Sequence, residues 1–437
     1  MEEFRRGGDL LNRPPHEANV AEQTEHSING GGLKFDYFSP NENHRFNVFA
    51  SAQHINRDSY YGPGDRDPLD AYGNTTDLNW MAGSQYVYSF GKCIFMPSDL
   101  TAGIEFNQDK LEDNMWGYNR TVDQKVNIGS AFLQNEWKND HWGFLIGGRL
   151  DKHNLIDHVI FSPRANLRYN PTENINLRFS YSSGFRAPQA FDEDLHVENV
   201  GGNVAMVELA DNLKEERSQS LSASADIYHR FGAFQVNFLV EGFYTKLSDV
   251  FALTDGEVVD GILTRTRHNA SGAQVLGLTL EGKMAYLNKI QVQAGVTLQQ
   301  SHYSKPHIWN KEAPAVKKMM RTPNTYGYFT ATYTPIKPLS IALSGTYTGS
   351  MLVPHEPVPG FLENPITVNT KDFFDIGLKA AYDFKLYKSM NLQLNAGIQN
   401  IFNAYQDDFD KGADRDSGYI YGPSLPRSFF AGVKISY

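Results

Sequence analysis

From about residue 30 to the C-terminus the chain alternates apolar and polar residues with a period of two, in segments joined by alternately short and long connections. In 391–401, Leu392, Leu394, Ala396 and Ile398 point one way, and Asn391, Gln393, Asn395 and Gln399 the other. The last segment sets Phe429, Ala431, Val433, Ile435 and Tyr437 against Ser428, Lys434 and Ser436. Ile175, Leu177, Phe179 and Tyr181 repeat the pattern. So do Ile290, Val292, Ala294, Val296 and Leu298, opposed by Gln291, Gln293, Thr297 and Gln299. A helix needs an apolar stripe at period 3.6, and no convincing one is found.

Alternation fits any half-buried sheet, so the connections decide. Short turns fall near 39–43, 91–98, 138–141, 170–174, 231–233, 286–289, 334–338 and 385–389. Long connections fall near 57–76, 111–121, 151–160, 184–212, 249–262, 303–322, 351–370 and 403–424. Short turns at one rim and long loops at the other are the pattern of an outer-membrane barrel, and a sandwich or propeller has no reason to keep it. The expected fold is all-β: an antiparallel transmembrane β-barrel.

Composition agrees. Aromatic residues make up 13% of the chain, with 23 Tyr and 28 Phe, an excess that aromatic girdles at both membrane interfaces would absorb. A mean hydropathy of −0.46 is no obstacle, because barrel strands average lipid-facing apolar with lumen-facing polar residues. No apolar run is long enough for a membrane helix. The net charge of −10 argues against nucleic acid as a partner. Cys93, the only cysteine, permits no internal disulfide. The stretch from Met1 to Gly8 has no apolar core and is not a secretory signal.

The spacing predicts about 17 strands between residue 30 and Tyr437, whereas bacterial single-chain barrels have even strand numbers. We therefore expect residues 1–29 to be a partial strand and extracellular loop at a truncated start, and 30–437 the barrel of a larger protein.

Two regions carry a family resemblance. Phe185-Arg186-Ala187-Pro188, followed by Asn212-Leu213-Lys214-Glu215-Glu216, resembles the Phe-Arg-Ala-Pro and Asn-Leu-Lys-Pro-Glu boxes of TonB-dependent receptors, which flank a long extracellular loop. The second box departs from the family in reading Glu215 where proline is usual. Gly397-Ile398-Gln399-Asn400-Ile401-Phe402-Asn403, then Gly422 to Arg427 and the closing strand, resembles the family's final hairpin. Tyr437 resembles the terminal aromatic read by the barrel assembly machinery. The strand wording is similar to receptors of the Bacteroidetes type. The resemblance implies a barrel of about 22 strands, with a plug domain and the earliest strands preceding these residues. It further implies outer-membrane lipid as surroundings, a nutrient ligand, and a TonB complex acting through the plug.

Import by such a receptor is binding and gating, so the candidate residues lie in the long loops. Arg186 reads either as a clamp for an anionic chelate such as a ferric siderophore, or as a structural arginine paired with Asp192, Glu193 or Asp194; the second is the expectation. His196, between the boxes, stands where some haem receptors of the family carry an axial ligand, although a polar loop histidine is more often unliganded. His302, Tyr303, His307 and Trp309, with His355 and Met351, could form an aromatic, soft-ligand surface for copper or a corrinoid; ordinary loop packing is the plainer reading. Asp407, Asp408, Asp410, Asp414 and Asp416 faintly echo a calcium loop, but the spacing fits a solvated acidic loop paired with Lys411 and Arg415 better. No metal site and no resident cofactor are expected.

No nucleophile elbow, zinc-protease motif or phosphate-binding glycine loop is found, so an enzyme is not expected. The expected function is energy-coupled uptake of a scarce nutrient: a ferric siderophore or other iron chelate, with haem or a corrinoid as alternatives. A passive porin, or a truncated fragment without transport activity, is the rival reading.

Overall fold

The structure is a computed structural model describing residues 2–7, 13–18, 20–63, 67–191, 195, 197, 204–259, 262–387, 389–412, 415–416, 418–423 and 425–437. Six strands lead: β1 (Glu2–Gly7), β2 (Val20–Phe38), β3 (His44–Pro63), β4 (Tyr72–Cys93), β5 (Met96–Met115) and β6 (Arg120–Lys138). Next come β7 (Trp142–His153), β8 (Ile160–Thr172), β9 (Ile175–Arg186), β10 (Val204–Leu209), β11 (Glu216–Phe231) and β12 (Phe234–Ser248). The third group is β13 (Phe251–Val259), β14 (Ile262–Asn269), β15 (Ala273–Tyr286), β16 (Ile290–His307), β17 (Val316–Lys318) and β18 (Thr325–Ile336). Last are β19 (Leu339–Thr348), β20 (Leu352–His355), β21 (Ile366–Asn369), β22 (Phe373–Tyr387), β23 (Met390–Gln399) and β24 (Ser428–Ser436).

The large sheet holds 19 strands. Setting aside the short β1 and β17 leaves the 17 that the turn spacing anticipates, each antiparallel to the next along the chain. Among the described residues no pairing joins β24 to β1 or β2. The remaining strands lie in the long loops. β10, β14 and β13 form a separate three-stranded sheet with β10 parallel to β14, and β20 pairs with β21.

The register shows why period-two sequences build this wall. Cross-strand pairing sets Tyr37 beside Phe46, Phe35 beside Val48 and Leu33 beside Ala50. The same face continues through Tyr86–Ala102 and Ile104–Ala131. It reaches Leu392–Ile435, Leu394–Val433 and Ile398–Phe429 at the far end. Leu33 is 83% exposed and Phe429 73%, so these side chains need lipid, not water, around them. A slip of one residue would send the whole set to the opposite face. That opposite face carries polar ladders such as Arg149 with Glu105 and Asp151, and Gln393 with Asp383. It is the lumen side.

Near the short turns the outward rows become aromatic: Trp142 stacks on Tyr169 at 4.2 Å and Phe234 lies 4.5 Å from Tyr286. This is the girdle expected at an interface. At the other end the apolar band stops early. Beyond Trp80 and Phe106, the outward positions of β3, β5 and β6 are Asn56, Asp58, Gln108, Lys110, Glu112, Lys125 and Asp123. Crossing a membrane takes only about 9–11 strand residues. β4 has 22 and β5 has 20, so their upper halves stand clear of the bilayer and present inward surface to the loops.

Candidate functional site

The inward face of those upper halves carries a charge network that residue patterns did not reveal. Asp113 is completely buried; Arg57 approaches one of its oxygens at 3.4 Å and Arg120 the other at 2.9 Å. The Thr75 hydroxyl donates to the same carboxylate at 2.5 Å and accepts from Arg57 Nε at 3.0 Å. All four positions fall on the lumen side by strand parity, and a charge buried to this degree persists only when paired. Arg120 also donates to the Leu195 carbonyl at 2.9 Å, reaching a loop 75 residues away in sequence.

That loop follows the first family box. The Ala190 amide donates to Gln124 Oε1 at 2.8 Å, and Gln124 Nε2 returns a bond to the Ala190 carbonyl at 3.2 Å. Gln189 meets His153 at 3.2 Å. Val197 is buried against Tyr61, Met115 and Tyr118, with Met206 of β10 and Ile262 of β14 packed around them. The loop rooted at β9 therefore crosses the mouth to the inner walls of β3 and β5–β7, carrying the three-stranded sheet with it.

The boxes sit at the root of this arrangement. The Arg186 guanidinium lies 4.0 Å from the centre of the Phe191 ring and 5.7 Å from Phe251; Arg267 lies 5.8 Å from each. Two arginines and two rings thus form one stack, of the kind that favours guanidinium over ammonium. The carboxylates expected beside Arg186, Asp192 to Asp194, lie outside the described residues, as does His196. Phe185, one residue before the end of β9, lies opposite Arg217. Ala187 is buried, and Pro188 is among the described residues that follow. In the second box the Lys214 amide and carbonyl both bond the Asn269 side chain, at 2.7 and 3.0 Å. The Leu213 amide closes a turn on Ala210 at 3.0 Å. Asn212 lies in that turn.

Glu215, where the family has proline, is buried and grips Arg217 at 2.7 Å and His158 at 3.0 Å. Burial alone would raise its carboxyl pKa; Arg217 outweighs that and holds it below the ordinary range. The box works as a brace between the loop and β8–β11.

The expected histidine surface divides. Strand alternation places Tyr303 on the lumen side of β16, where it lines a cleft of about 480 Å³ with His307 and Trp309. His302, one residue away, is on the outward side, in register with Gln274. His268 of β14, which sequence reasoning passed over, joins the cleft from the facing wall. Burial, and then the neighbouring His268, lower the His307 pKa. His355 belongs elsewhere. It stacks on Tyr419 at 3.8 Å and bonds Asp410 at 2.9 Å, both buried, while Met351 packs with Val353 against the same tyrosine.

The acidic loop is accordingly solvated only in part: Asp407 and Asp408 are exposed, Asp410 and Asp416 turn inward, and the described carboxylates take partners other than Lys411 and Arg415. Asp410 takes His355, Asp416 accepts the Glu356 amide at 2.9 Å, and Asp408 accepts Tyr421 at 2.6 Å. Asp407 pairs with a surface lysine, Lys371 at 2.8 Å. Lys411 lies over Phe409, Arg415 bonds the Gly412 carbonyl, and Asp414 is outside the described residues. Asn400 staples the base of this loop through Ala404 and Leu425, and Asn403 holds Arg427, which gives the C-terminal motif a structural reason. Among the described residues no three His, Cys, Asp or Glu side chains are grouped so as to hold a metal ion.

An antiparallel meander with an apolar outer belt, short turns at one rim and inward-folding loops at the other defines a receptor barrel of the outer membrane. The chain belongs to the TonB dependent receptor-like β-barrel family, whose sequence model matches residues 5–401. It is an outer-membrane protein. Its fold matches the siderophore receptor PirA from Acinetobacter baumannii, at TM-score 0.68 and 14% identity over 95% of this chain and 62% of that one. It also matches the ferric-catecholate import receptor Fiu from E. coli K12, at 0.68 and 14% over 95% and 64%. A ferric enterobactin receptor mutant (PfeA) from Pseudomonas aeruginosa, in complex with enterobactin, matches at 0.68 and 15% over 95% and 62%. The chain thus spans less than two thirds of the length of these receptors. No curated protein matches it in sequence.

Proposed function

We propose that this receptor takes up a scarce nutrient across the outer membrane by energy coupling to a TonB complex, and that the nutrient is a ferric siderophore or another iron chelate. The coupling would reach the barrel through a plug domain preceding these residues. Residues 30–437 would form the barrel domain, with 1–29 a strand and loop leading into it, and Tyr437 would meet the assembly machinery. The family supports transport rather than catalysis.

The observation that carries the reading is the mouth. Loop residues between β9 and β11 cross it and are pinned to the inner wall by Arg120 and Gln124. A passive porin would be a smaller complete barrel with a pore-constricting loop and would leave the two family boxes unexplained, whereas a receptor needs fixed side chains at its mouth to meet a ligand. The siderophore receptors that share the fold support the choice of an iron chelate. The test is growth of a deletion strain under iron limitation with a panel of ferric siderophores, haem and a corrinoid. Loss of growth on one or more ferric siderophores, restored by the gene, is expected. Undiminished growth on every iron chelate would overturn the proposal.

A further inference from the structure

On the lumen wall of β8 and β9 three arginines stand without a carboxylate partner among the described residues. Arg164 and Arg168 face inward, in register with Gly147 and Gly143 on the side of β7 that carries Arg149, and Arg178 of β9 lies directly opposite Arg168. Like charges placed opposite each other across a strand pair repel, so the sheet by itself gains nothing from this arrangement. Arg164 makes no hydrogen bond or ion pair among the described residues. Among them Arg178 bonds only Asn176, from Nε at 2.7 Å. Arg168 donates to the Asn139 carbonyl at 2.9 Å, while its buried Nε has no hydrogen-bond partner among the described residues.

Charges on the walls to either side are met within the sheet. Arg149 holds Glu105 and Asp151, Lys138 holds Asp99, and Lys283 holds Glu281. Asp226, diagonal to Arg178, already accepts Tyr228 at 2.8 Å and Asn237. Glu241 stands two strands from Arg178, about 10 Å at ordinary strand spacing. The lumen side chains beside the arginines are short hydroxyls, Ser180, Ser182, Ser222 and Ser224, and Arg164 and Arg178 remain exposed. Arg168 packs across Gly143, where a Cβ would lie 3.3 Å from its Nε. A planar guanidinium fixed on a strand and unmet by its own sheet is matched by a carboxylate, which takes two of its N–H groups at once.

We propose that the β8–β9 wall is the face that anchors the plug, through carboxylates on the plug surface. These would engage Arg168 and Arg178 near the rim of the short turns, and Arg164 about 13 Å nearer the long loops. A small anion would cap one guanidinium, whereas three spread over about 13 Å of rigid sheet match a folded acidic surface. The inference rests on the uptake reading in taking a plug to fill the lumen. It adds which wall holds the plug, and with which charge.

The test uses the full-length receptor in detergent, with Arg168→Lys and Arg178→Lys made singly. A water-soluble carbodiimide joins an amine to a carboxylate in contact with it, with loss of water, and mass spectrometry of the digest locates the partner. Arg149→Lys is the control and should link to Glu105 or Asp151. Links from positions 168 and 178 to Asp or Glu preceding residue 1 are expected. Replacing Arg164, Arg168 and Arg178 together with Gln should speed hydrogen exchange in the upstream domain about tenfold, with β8 and β9 exchanging at the native rate. Links only to Asp226 or Glu241, no link from 168 or 178 while the control links, or unchanged exchange in the triple variant overturns the proposal. The expected links in a receptor that imports no iron chelate would fail the uptake reading and leave the anchor standing. Import without such links would fail the anchor alone.

Discussion

Asn in place of Asp113 would remove a buried carboxylate that holds both Arg57 and Arg120 on the inner wall. The carboxylate is fully buried, and its two arginine partners are only 2% and 8% exposed. Neither guanidinium can turn to water to replace it. Breaking a buried pair by removing one partner costs about 3–5 kcal/mol, because the remaining charge stays where solvent cannot reach it. Asn keeps the shape and can still accept from Thr75, so the lower end applies, roughly 3 kcal/mol or about a hundredfold in the unfolding equilibrium. Urea unfolding of the purified receptor in lipid measures this directly. Limited proteolysis supplies a local reading, because Arg120 also holds the Leu195 carbonyl: cutting between residues 187 and 203 should accelerate. The triple replacement Arg57→Met, Asp113→Leu, Arg120→Met separates the two effects. It removes all three of these charges together and should regain much of the stability, while cutting between residues 187 and 203 should stay accelerated because the Arg120 bond to Leu195 is gone. Stability within about 0.5 kcal/mol of the native receptor and an unchanged cleavage pattern for Asp113→Asn would refute the reasoning.

Leu394→Asp, on the lipid face, should lower barrel stability by about 1–4 kcal/mol according to depth, whereas Gln393→Ala loses one lumen bond to Asp383 and should be milder. Equal losses in the fraction of heat-modifiable, folded barrel would contradict the strand phasing. Deleting Tyr437, fully exposed just past β24 at the rim of the short turns, should reduce the folded receptor recovered from outer membranes; an unchanged yield would remove the assembly role from this residue. Tyr419 gives a pH window. Burial, and then Asp408, push its phenol up from 10.0 to about 12, so the folded state favours the protonated form. That stabilisation is intact below pH 10 and is lost as pH rises through about 12, with the buried His355 stack loosening as it goes. Protease cutting in 400–427 should rise in this interval and not before, and Tyr419→Phe should reduce the transition, the remainder belonging to Tyr421, whose phenol burial and Asp408 also push up.

Why the wall was legible in the sequence and the mouth was not follows from the range of the contacts. A strand in a membrane must satisfy every backbone group with its neighbours, so its sequence needs only to choose a face, and that choice is written every second residue. Leu392, Leu394, Ala396 and Ile398 announce it, and their partners Phe429 to Ile435 announce it independently. The turn positions were equally plain because each is local: Asn139, for example, receives the amides of His141 and Trp142 within its own hairpin. Where reading by residue type was carried into the loops, parity corrected it. His302 and Tyr303 look like one cluster in the sequence but occupy opposite sides of β16.

The loops depend on a different kind of information. Arg120 meets Leu195, Arg265 meets Glu356 and His355 meets Asp410 at separations of 75, 91 and 55 residues. No periodicity links such partners, and the residue types involved are ordinary for solvated loops. The acidic run from Asp407 to Asp416 illustrates the error this invites: composition suggests a surface loop, whereas Asp410 and Asp416 are interior groups with specific partners. Glu215 shows the converse. It departs from the family's second box, yet it occupies a buried place with its own arginine and histidine. A loop can therefore be rewritten residue by residue while the wall beneath it stays constant, provided each buried charge keeps a partner. That division leaves the interlocked loops free to vary, and in them His268, Tyr303 and Trp309 come together from segments that carry no common motif.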